Sequence, residues 1–234
     1  MGGLTLYLVF MIPPLLLSLW AAWRVKATYA QASQVLASSG FTGADTARMI
    51  LEANNISNVR VETTPGHLSD HYDPRAKVLR LSPDVYNGRS VAALGIAAHE
   101  VGHAIQDANG YAPLVIRNGI VPLANVGSNA GLILIMVGLL GASALGSLGG
   151  WILIGGIALF SLVVAFQLIN LPVEFDASAR AKRLLANTQL VAPGAQAQAM
   201  NRVLNAAALT YVAATVGTIM TLLYYIILAS QQRE

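Results

Sequence analysis

The stretch that decides the fold is SVAALGIAAHEVGHAIQDAN, residues 90–109, which contains the motif His99-Glu-Val-Gly-His103. Ser90 is a suitable N-cap and Gly110 a suitable stop, so the stretch predicts one helix. Histidines at i and i+4 lie one above the other on a helix face, so both imidazoles can reach one metal ion. Glu100, beside the first histidine, is then placed to act as general base towards a water on that metal.

The composition excludes an ordinary soluble domain and a disordered chain. Of the 234 residues, 55% are hydrophobic and 11% are charged, and the mean hydropathy is +0.58, whereas soluble domains carry about 25% charged residues. The chain has no cysteine, which excludes a disulfide scaffold and a thiolate metal site. The net charge of +3 and the pI of about 9.3 indicate the anionic face of a lipid bilayer as partner, and not nucleic acid.

Four apolar stretches are each long enough to cross a bilayer, which takes a helix of about 20 residues. They span roughly residues 4–23, 121–145, 149–171 and 206–229. A Gly/Ser-rich turn at 146–150 joins the second and third stretches, which therefore predict a helical hairpin. Positive charge follows the first stretch, at Arg24 and Lys26, and does not precede it. We therefore interpret the first stretch as a retained anchor and not as a signal peptide.

Almost all basic residues fall on one side of this four-span arrangement. Segments 24–120 and 172–205 carry 13 of the 14 Lys and Arg residues, and Arg233 is the other. The positive-inside rule predicts that both segments are cytoplasmic, in a multi-pass protein of the cell membrane. The predicted domains are a first transmembrane helix (1–23), a cytoplasmic segment with the HEVGH helix (24–120), a transmembrane hairpin (121–171), a cytoplasmic helical segment (172–205), and a fourth transmembrane helix with its tail (206–234).

The predicted fold is predominantly α, with the two cytoplasmic segments forming a small α+β, zincin-like domain. Helices are expected at 27–39 and 42–54, the second capped by Thr42 or Asp45. Alternating residues at 59–62 and 78–81 predict short strands, linked by the turn-rich stretch 65–74, and 82–88 is expected to be a loop. A helix at 172–187 is expected to have Pro172 in its first turn. A long helix is expected to begin after the Pro193-Gly194 turn and to continue into the fourth span.

A hydrolytic zinc site has three protein ligands and an open position for water, so a third ligand must be found beside His99 and His103. Position 109, where a metzincin has a third histidine, is Asn109. Glu174 is the best placed candidate, because it directly follows the third span on the same side of the membrane as the HEVGH helix. Its own helix can pack against that helix. The full set of candidates is Glu174, Asp176, Asp107, His67 and His71.

The other candidates each have two interpretations. Asp176 could be an acceptor that holds a histidine tautomer, or it could pair with Arg180 one turn further along its helix. Asp107, near the end of the HEVGH helix, is expected to be solvated. His71 could reach the site and stabilise an oxyanion, or it could be an ordinary loop histidine, as could His67.

Two segments carry a resemblance to a known family. They are DHYDPRAKVLRLSPDVYNGRSVAALGIAAHEVGHAIQ, residues 70–106, and LPVEFDASARA, residues 171–181. With the four-span layout, they resemble the bacterial YugP-like neutral zinc metallopeptidases of the membrane. The DHYDP, YNGRS and PVEFDAS segments are specific, whereas HEVGH alone marks a broad superfamily.

The resemblance implies a zinc-dependent peptidase with His99 and His103 as ligands and Glu100 as base, and it fits Glu174 as the third ligand. The chain is also more loosely similar to the heat-shock membrane metallopeptidases, which join an HExxH helix to a later Glu helix. Those proteins place an Asp four residues after that Glu. Here the position is Ser178, and the nearby acid is Asp176.

These observations predict a membrane-anchored zinc metallopeptidase that hydrolyses peptide bonds of proteins at or near the cytoplasmic membrane surface. Zn²⁺ is the expected cofactor, and the lipid bilayer and protein or peptide substrates are the expected partners. The strand at 78–81 could pair with an extended peptide by strand addition. Two alternatives stay open: a site-2-type intramembrane zinc protease with Asp176 as ligand, and a non-catalytic zinc-binding membrane adaptor or assembly factor.

Overall fold

The computed structural model describes residues 3–231, most of them in helices. Helices α1, α5, α7 and α8 are each long and apolar enough to cross a membrane, as predicted. Arg233, which enters the topology prediction, lies outside the described residues. In chain order the elements are α1 (Gly3–Ser33), α2 (Gly43–Ala53), β1 (Arg60–Thr63), β2 (His71–Asp73), β3 (Val78–Leu81), α3 (Pro83–Tyr86), α4 (Val91–Ala108), α5 (Ala112–Leu140), α6 (Ala142–Leu145), α7 (Ser147–Asn187) and α8 (Ala195–Gln231).

The described chain divides into two compact units, and the long helices contribute to both. We call residues 3–20, 115–171 and 210–231 the membrane unit, and residues 21–114 and 172–209 the site unit. Within the membrane unit α5 packs against α7, as the predicted hairpin requires. Their backbones approach so closely that a Cβ added at Gly138 would lie 2.6 Å from the backbone nitrogen of Leu153.

Helix α4, which carries HEVGH, is the central helix of the site unit. As predicted, Ser90 caps it: the Ser90 hydroxyl accepts a hydrogen bond of 3.2 Å from the backbone N–H of Ala93. The chain leaves the helix through Gly110, whose φ is 60°. Helix α2 and strands β2 and β3 pack against α4. Because apolar side chains cover it on nearly all sides, α4 is a core helix, with fully buried residues that include Val91, Leu94, Ala97, Ala98 and Val101.

The site unit also contains a three-stranded sheet with the order β1-β3-β2. Strand β1 runs parallel to β3, and β2 runs antiparallel to it. Strand β2 lies inside the stretch that we expected to contain only turns. Strand β3 is the centre of the sheet and is hydrogen-bonded along both edges, so the expectation that residues 78–81 accept a peptide by strand addition is wrong.

Two expectations about the segments that flank α4 are also wrong. Helix α1 ends at Ser33 and does not continue to residue 39, because the next residues leave the helix to bond with the start of α4. The N–H of Ala37 donates to the carbonyl of Arg89 at 2.9 Å, and the N–H of Val91 donates to the carbonyl of Val35 at 2.8 Å. The predicted loop at 82–88 contains the helical turn α3.

The third span and the helix that follows it are one continuous helix. Helix α7 runs for 41 residues and begins at Ser147, directly after Gly146 with its φ of 53°, inside the predicted turn. Pro172 therefore lies in the helix interior and not in a first turn. Transmembrane helices tolerate such prolines when neighbouring groups satisfy the freed carbonyl. The long helix expected after Pro193-Gly194 is α8.

Candidate metal centre

Two imidazoles and one carboxylate converge inside the site unit. His99 and His103 lie one turn apart on α4, with ring centroids 4.8 Å apart and ring planes at 84°. Oε2 of Glu174, from α7, lies 3.4 Å from Nε2 of each histidine. In a tetrahedral zinc site with ligand distances of about 2.0–2.1 Å, the ligand atoms are about 3.3–3.4 Å from one another. The two distances from Glu174 to the histidines therefore fit one zinc ion, and all three ligand atoms lie within 4.8 Å of one another.

A glycine brings the two helices of the site close enough for this convergence. A Cβ added at Gly102, between the two histidines, would lie 2.8 Å from the backbone oxygen of Ala177 on α7. Glycine costs about 1 kcal/mol relative to alanine in a helix interior. The residues next to Gly102 in the sequence do not explain why a glycine is present. The reason is close packing of a second backbone, which sets α4 against the part of α7 that holds Glu174.

The carboxylate of Glu174 is suited to a cation. Glu174 is buried, and its Oε2 has no hydrogen-bond partner among the described residues. A buried acceptor without a partner costs free energy, and a bound cation between Glu174 and the histidines would remove that cost. Burial raises the pKa of this carboxyl, but the two imidazoles outweigh burial, so the pKa of Glu174 lies well below its usual range. Glu174 is therefore ionised, as a metal ligand must be.

Each histidine binds a polar group through its other ring nitrogen. Nδ1 of His103 lies 3.0 Å from Oε1 of Gln106, and Nδ1 of His99 lies 3.1 Å from the Ser178 hydroxyl. Both Nε2 atoms are thus left facing Glu174. Sequence reasoning missed both roles. For Gln106, its position three residues after His103 on the same helix face was the available signal. For Ser178, it was the position where the heat-shock enzymes have an Asp.

The acidic candidates Asp176 and Asp107 lie outside the cluster of ligand atoms. Asp176 accepts hydrogen bonds from Nε2 of Gln106 at 2.8 Å and from Nε of Arg180 at 2.5 Å. It therefore pairs with Arg180 and reaches His103 only through Gln106. The expectation that Asp107 is solvated is wrong. Its carboxylate is largely buried and accepts a hydrogen bond of 2.6 Å from the Tyr72 hydroxyl and an ion-paired one from Lys77.

The two remaining histidines, His67 in a loop and His71 at the start of β2, are not brought to the cluster. His71 is exposed, and its Nδ1 lies 2.8 Å from the carbonyl of Ser69. His67 is also exposed, and its Nδ1 lies 3.3 Å from a carboxylate oxygen of Asp84. His71 is therefore not part of the cluster, and its position gives no support to the expected oxyanion role.

Glu100, the expected general base, is buried beside the second histidine at 8% exposure. Burial lowers the pKa of His103, but the neighbouring carboxylates of Glu174 and Glu100 outweigh burial, so the pKa of His103 is raised. A second carboxylate therefore lies near enough to act on the imidazole of His103.

The cluster consists of two histidines and a glutamate from two packed helices, with a further glutamate next to the first histidine in the sequence. Catalytic zinc sites of metallopeptidases have this set of residue types. The chain belongs to the family described as "Putative neutral zinc metallopeptidase", whose sequence pattern matches residues 7–230. It is similar to the "Putative membrane protease YugP" of Bacillus subtilis (strain 168), with 46% identity over 230 residues, which are 98% of this chain and 99% of the relative. The predicted family resemblance is thus confirmed. No solved structure matches the chain.

Proposed function

We propose that the protein is a membrane-anchored zinc metallopeptidase that hydrolyses peptide bonds of protein substrates at or near the cytoplasmic membrane surface. The observation that carries the proposal is the unpartnered Oε2 of Glu174, buried 3.4 Å from Nε2 of both His99 and His103. Membership of the zinc metallopeptidase family supports zinc as the metal and hydrolysis as the activity.

In this proposal the chain's own residues hold the metal and move one proton. His99, His103 and Glu174 bind zinc and leave a fourth position open. Bound zinc supplies Lewis-acid polarisation of water and of the substrate carbonyl. Glu100 takes the proton from the attacking water and then delivers it to the leaving amine nitrogen, so that the water oxygen forms the new carboxylate and the C–N bond breaks.

The cytoplasmic side and the substrate class follow from charge and hydropathy. The basic residues outside the apolar stretches favour the cytoplasmic face by the positive-inside rule. Four helices able to cross a bilayer keep the enzyme in the membrane. Membrane proteins, and loops close to the membrane surface, are therefore the substrates that meet the site most often.

The contacts of Asp176 argue against the intramembrane alternative. An intramembrane protease that used Asp176 as ligand would need this carboxylate beside the histidines. It is instead held by Gln106 and Arg180, and Glu174 faces both imidazoles. The non-catalytic adaptor would have the same zinc site as the enzyme, but it would cleave no bond that depends on Glu100.

The test therefore separates metal binding from chemistry. We expect Glu100→Gln to keep about one zinc per chain and to lose about 10²–10⁴-fold in hydrolysis, because the ligands remain while the base is lost. Glu52→Gln, an exposed glutamate on α2, is the matched control and should keep both. The measurements are zinc content of purified proteins and membrane-protein fragments in cells that produce each variant. Wild-type fragment patterns with Glu100→Gln would overturn the proposal, as would a wild-type protein that yields no fragments.

A further inference from the structure

Gln106 forms a fully connected link between a candidate zinc ligand and the neighbouring helix. Its side chain is completely buried. Its Oε1 lies 3.0 Å from Nδ1 of His103, and its Nε2 donates hydrogen bonds of 2.8 Å to both the carbonyl of Val173 and the carboxylate of Asp176. The first contact lies within α4, and the other two join α4 to the segment of α7 around Glu174.

The two acceptors determine which way the amide faces. A carbonyl and a carboxylate can only accept, so the NH₂ group of Gln106 must point towards Val173 and Asp176. The amide oxygen is then left for His103, and Nδ1 of His103 must carry the hydrogen of that bond. With the proton on Nδ1, the lone pair of the neutral imidazole lies on Nε2, which faces Glu174.

The acceptor behind Gln106 is itself held in place. Arg180 donates to Asp176 from Nε at 2.5 Å, and its guanidinium lies over the ring of Tyr111, 5.8 Å from the centroid. His99 has a weaker constraint, because the Ser178 hydroxyl beside its Nδ1 can donate or accept a proton. The tautomer of His103 is thus determined by geometry, whereas that of His99 is not determined by this contact.

We propose that Gln106 is a positioning residue that, with Asp176 behind it, holds His103 in the tautomer that binds the metal through Nε2. The inference rests on the proposed zinc site. In many zinc proteins a carboxylate or backbone carbonyl contacts the ligand histidine directly, and removing such a group costs 10–100-fold in affinity or activity. Here the neutral amide of Gln106 contacts His103, and the carboxylate of Asp176 determines which way that amide faces.

The first test removes the acceptor and keeps the side-chain length. We expect Gln106→Met to weaken zinc binding by about 10–100-fold, measured by chelator competition on purified protein. Gln198→Met, an exposed glutamine on α8 of the same unit, is the matched control and should bind as the wild type does. Nitrogen-15 spectra of the metal-free protein at alkaline pH should show His103 protonated on Nδ1 in the wild type and mixed tautomers in Gln106→Met.

The second test exchanges donor and acceptor, which a packing role alone would not detect. Gln106→Glu places two carboxylates face to face and should lose about 10-fold or more in zinc affinity. In the double variant Gln106→Glu/Asp176→Asn the new amide donates to the new carboxylate, which again accepts from Nδ1 of His103. Both proteins with Gln106→Glu lose the donor to the carbonyl of Val173, so we expect the double variant to recover part of the lost affinity by removing the repulsion at residue 176.

The outcomes separate this inference from the proposed function. If the wild type binds zinc and Gln106→Met binds it equally tightly with His103 still protonated on Nδ1, the positioning role is wrong and the zinc site stands. Failure of the double variant to improve on Gln106→Glu would also overturn the positioning role, and it does so even if Gln106→Met does not fold. A wild type that takes up no zinc through His99 and His103 would overturn both.

Discussion

The membrane unit and the site unit differ in where their charged and apolar side chains lie. Among the described residues, Arg117 is the charged residue of the membrane unit, and every other charged side chain belongs to the site unit. In the membrane unit large apolar side chains such as Leu4, Leu140 and Trp151 are more than two-thirds exposed. The site unit instead has a continuous buried apolar core, although Trp23 and Leu36 are exposed, and several of its charged residues form ion pairs, such as Lys77 with Asp107.

Both units contain a glycine at which the backbones of two helices approach closely, but the close approach has a different result in each unit. Gly102 lets α4 approach α7 in the site unit, and Gly156 lets α7 approach α5 in the membrane unit, where an added Cβ would lie 2.6 Å from the backbone nitrogen of Ile135. In the membrane unit close approach gives van der Waals contact, the main attraction between helices in lipid. In the site unit it also aligns a carboxylate with two imidazoles. The same geometry therefore serves stability in one region and chemistry in the other.

The largest expected effect is a difference between the two units in the labelling of introduced cysteines. The native chain has no cysteine, so single cysteines can be introduced at exposed serines. We expect Ser147→Cys and Ser230→Cys to react with an impermeant thiol reagent in intact cells, and Ser57→Cys of the site unit to react only after lysis, because the positive-inside rule puts that unit in the cytoplasm. The reverse labelling pattern would place the metal site outside the cell.

The next largest effect distinguishes two carboxylates of the site unit. Glu174→Gln is expected to abolish most zinc binding, because it replaces a ligand that faces both imidazoles. Asp176→Asn is expected to cost about 10–100-fold in affinity, because it acts through Gln106. Zinc content and chelator competition on purified variants measure both effects. Full zinc in Glu174→Gln beside a metal-free Asp176→Asn would assign the ligand to Asp176 and support the intramembrane alternative.

A smaller effect is expected when the glycine at the close approach is changed in each unit. Gly102→Ala should destabilise the protein by about 1–3 kcal/mol through overpacking against Ala177, and it should weaken zinc binding. Gly156→Ala should lower the thermal stability in detergent by a similar amount and leave zinc affinity unchanged. Gly155→Ala, where nothing lies within 4 Å of an added Cβ, is the control and should lose neither. Equal zinc affinity in Gly102→Ala and wild type would contradict the alignment role of the glycine.

The smallest effect concerns the surface of the site unit. Thr42 and Asp45 form a capping box on α2, in which the Thr42 hydroxyl donates to Asp45 at 2.6 Å. We expect Thr42→Ala to cost about 0.5–2 kcal/mol of stability at neutral pH, whereas Thr188→Ala, at an exposed threonine whose hydroxyl donates to the carbonyl of Leu184 and caps no helix N-terminus, should cost less. Thermal unfolding in detergent measures both.

The same cap gives a pH dependence with a definite sign. The hydrogen bond from Thr42 lowers the pKa of Asp45 below its usual value, against a smaller opposing effect of burial. A carboxyl with a lowered pKa in the folded state stabilises the protein above its unfolded pKa of about 3.9 and loses that contribution as the pH falls through the lower folded value. The difference between wild type and Thr42→Ala should therefore shrink below about pH 4. A difference that grows on acidification would contradict this sign.

The features that sequence predicted correctly have local signals. Ser90, the HEVGH spacing and Gly110 lie within one helix and its ends, so α4 was placed to within a residue of its observed bounds. The long apolar runs are equally local, because crossing a bilayer requires a continuous apolar segment. The cap of α2 is also local: of the two residues expected there, Thr42 is the N-cap, and Asp45 completes a capping box with it.

The features that sequence missed depend on contacts between distant segments. Strand β2 has three residues and forms because β3 supplies its partners, so the turn-forming residues around it gave the wrong prediction. Pro172 looked like the start of a helix because proline is common there, and only the surrounding structure keeps it inside α7. The bond from Gln106 to Val173 joins residues 67 positions apart, and no periodicity in the chain reports it.

The composition of the candidate metal site has a consequence for how that site responds to oxidants. The candidate ligand atoms are two imidazole nitrogens and one carboxylate oxygen, and the chain contains no cysteine. Oxidation of proteins by peroxide begins at thiolates, which in cysteine-ligated zinc sites frees the metal. Neither imidazole nor carboxylate enters that sequence of reactions. Oxidation of thiols therefore provides no route to zinc release from this candidate site.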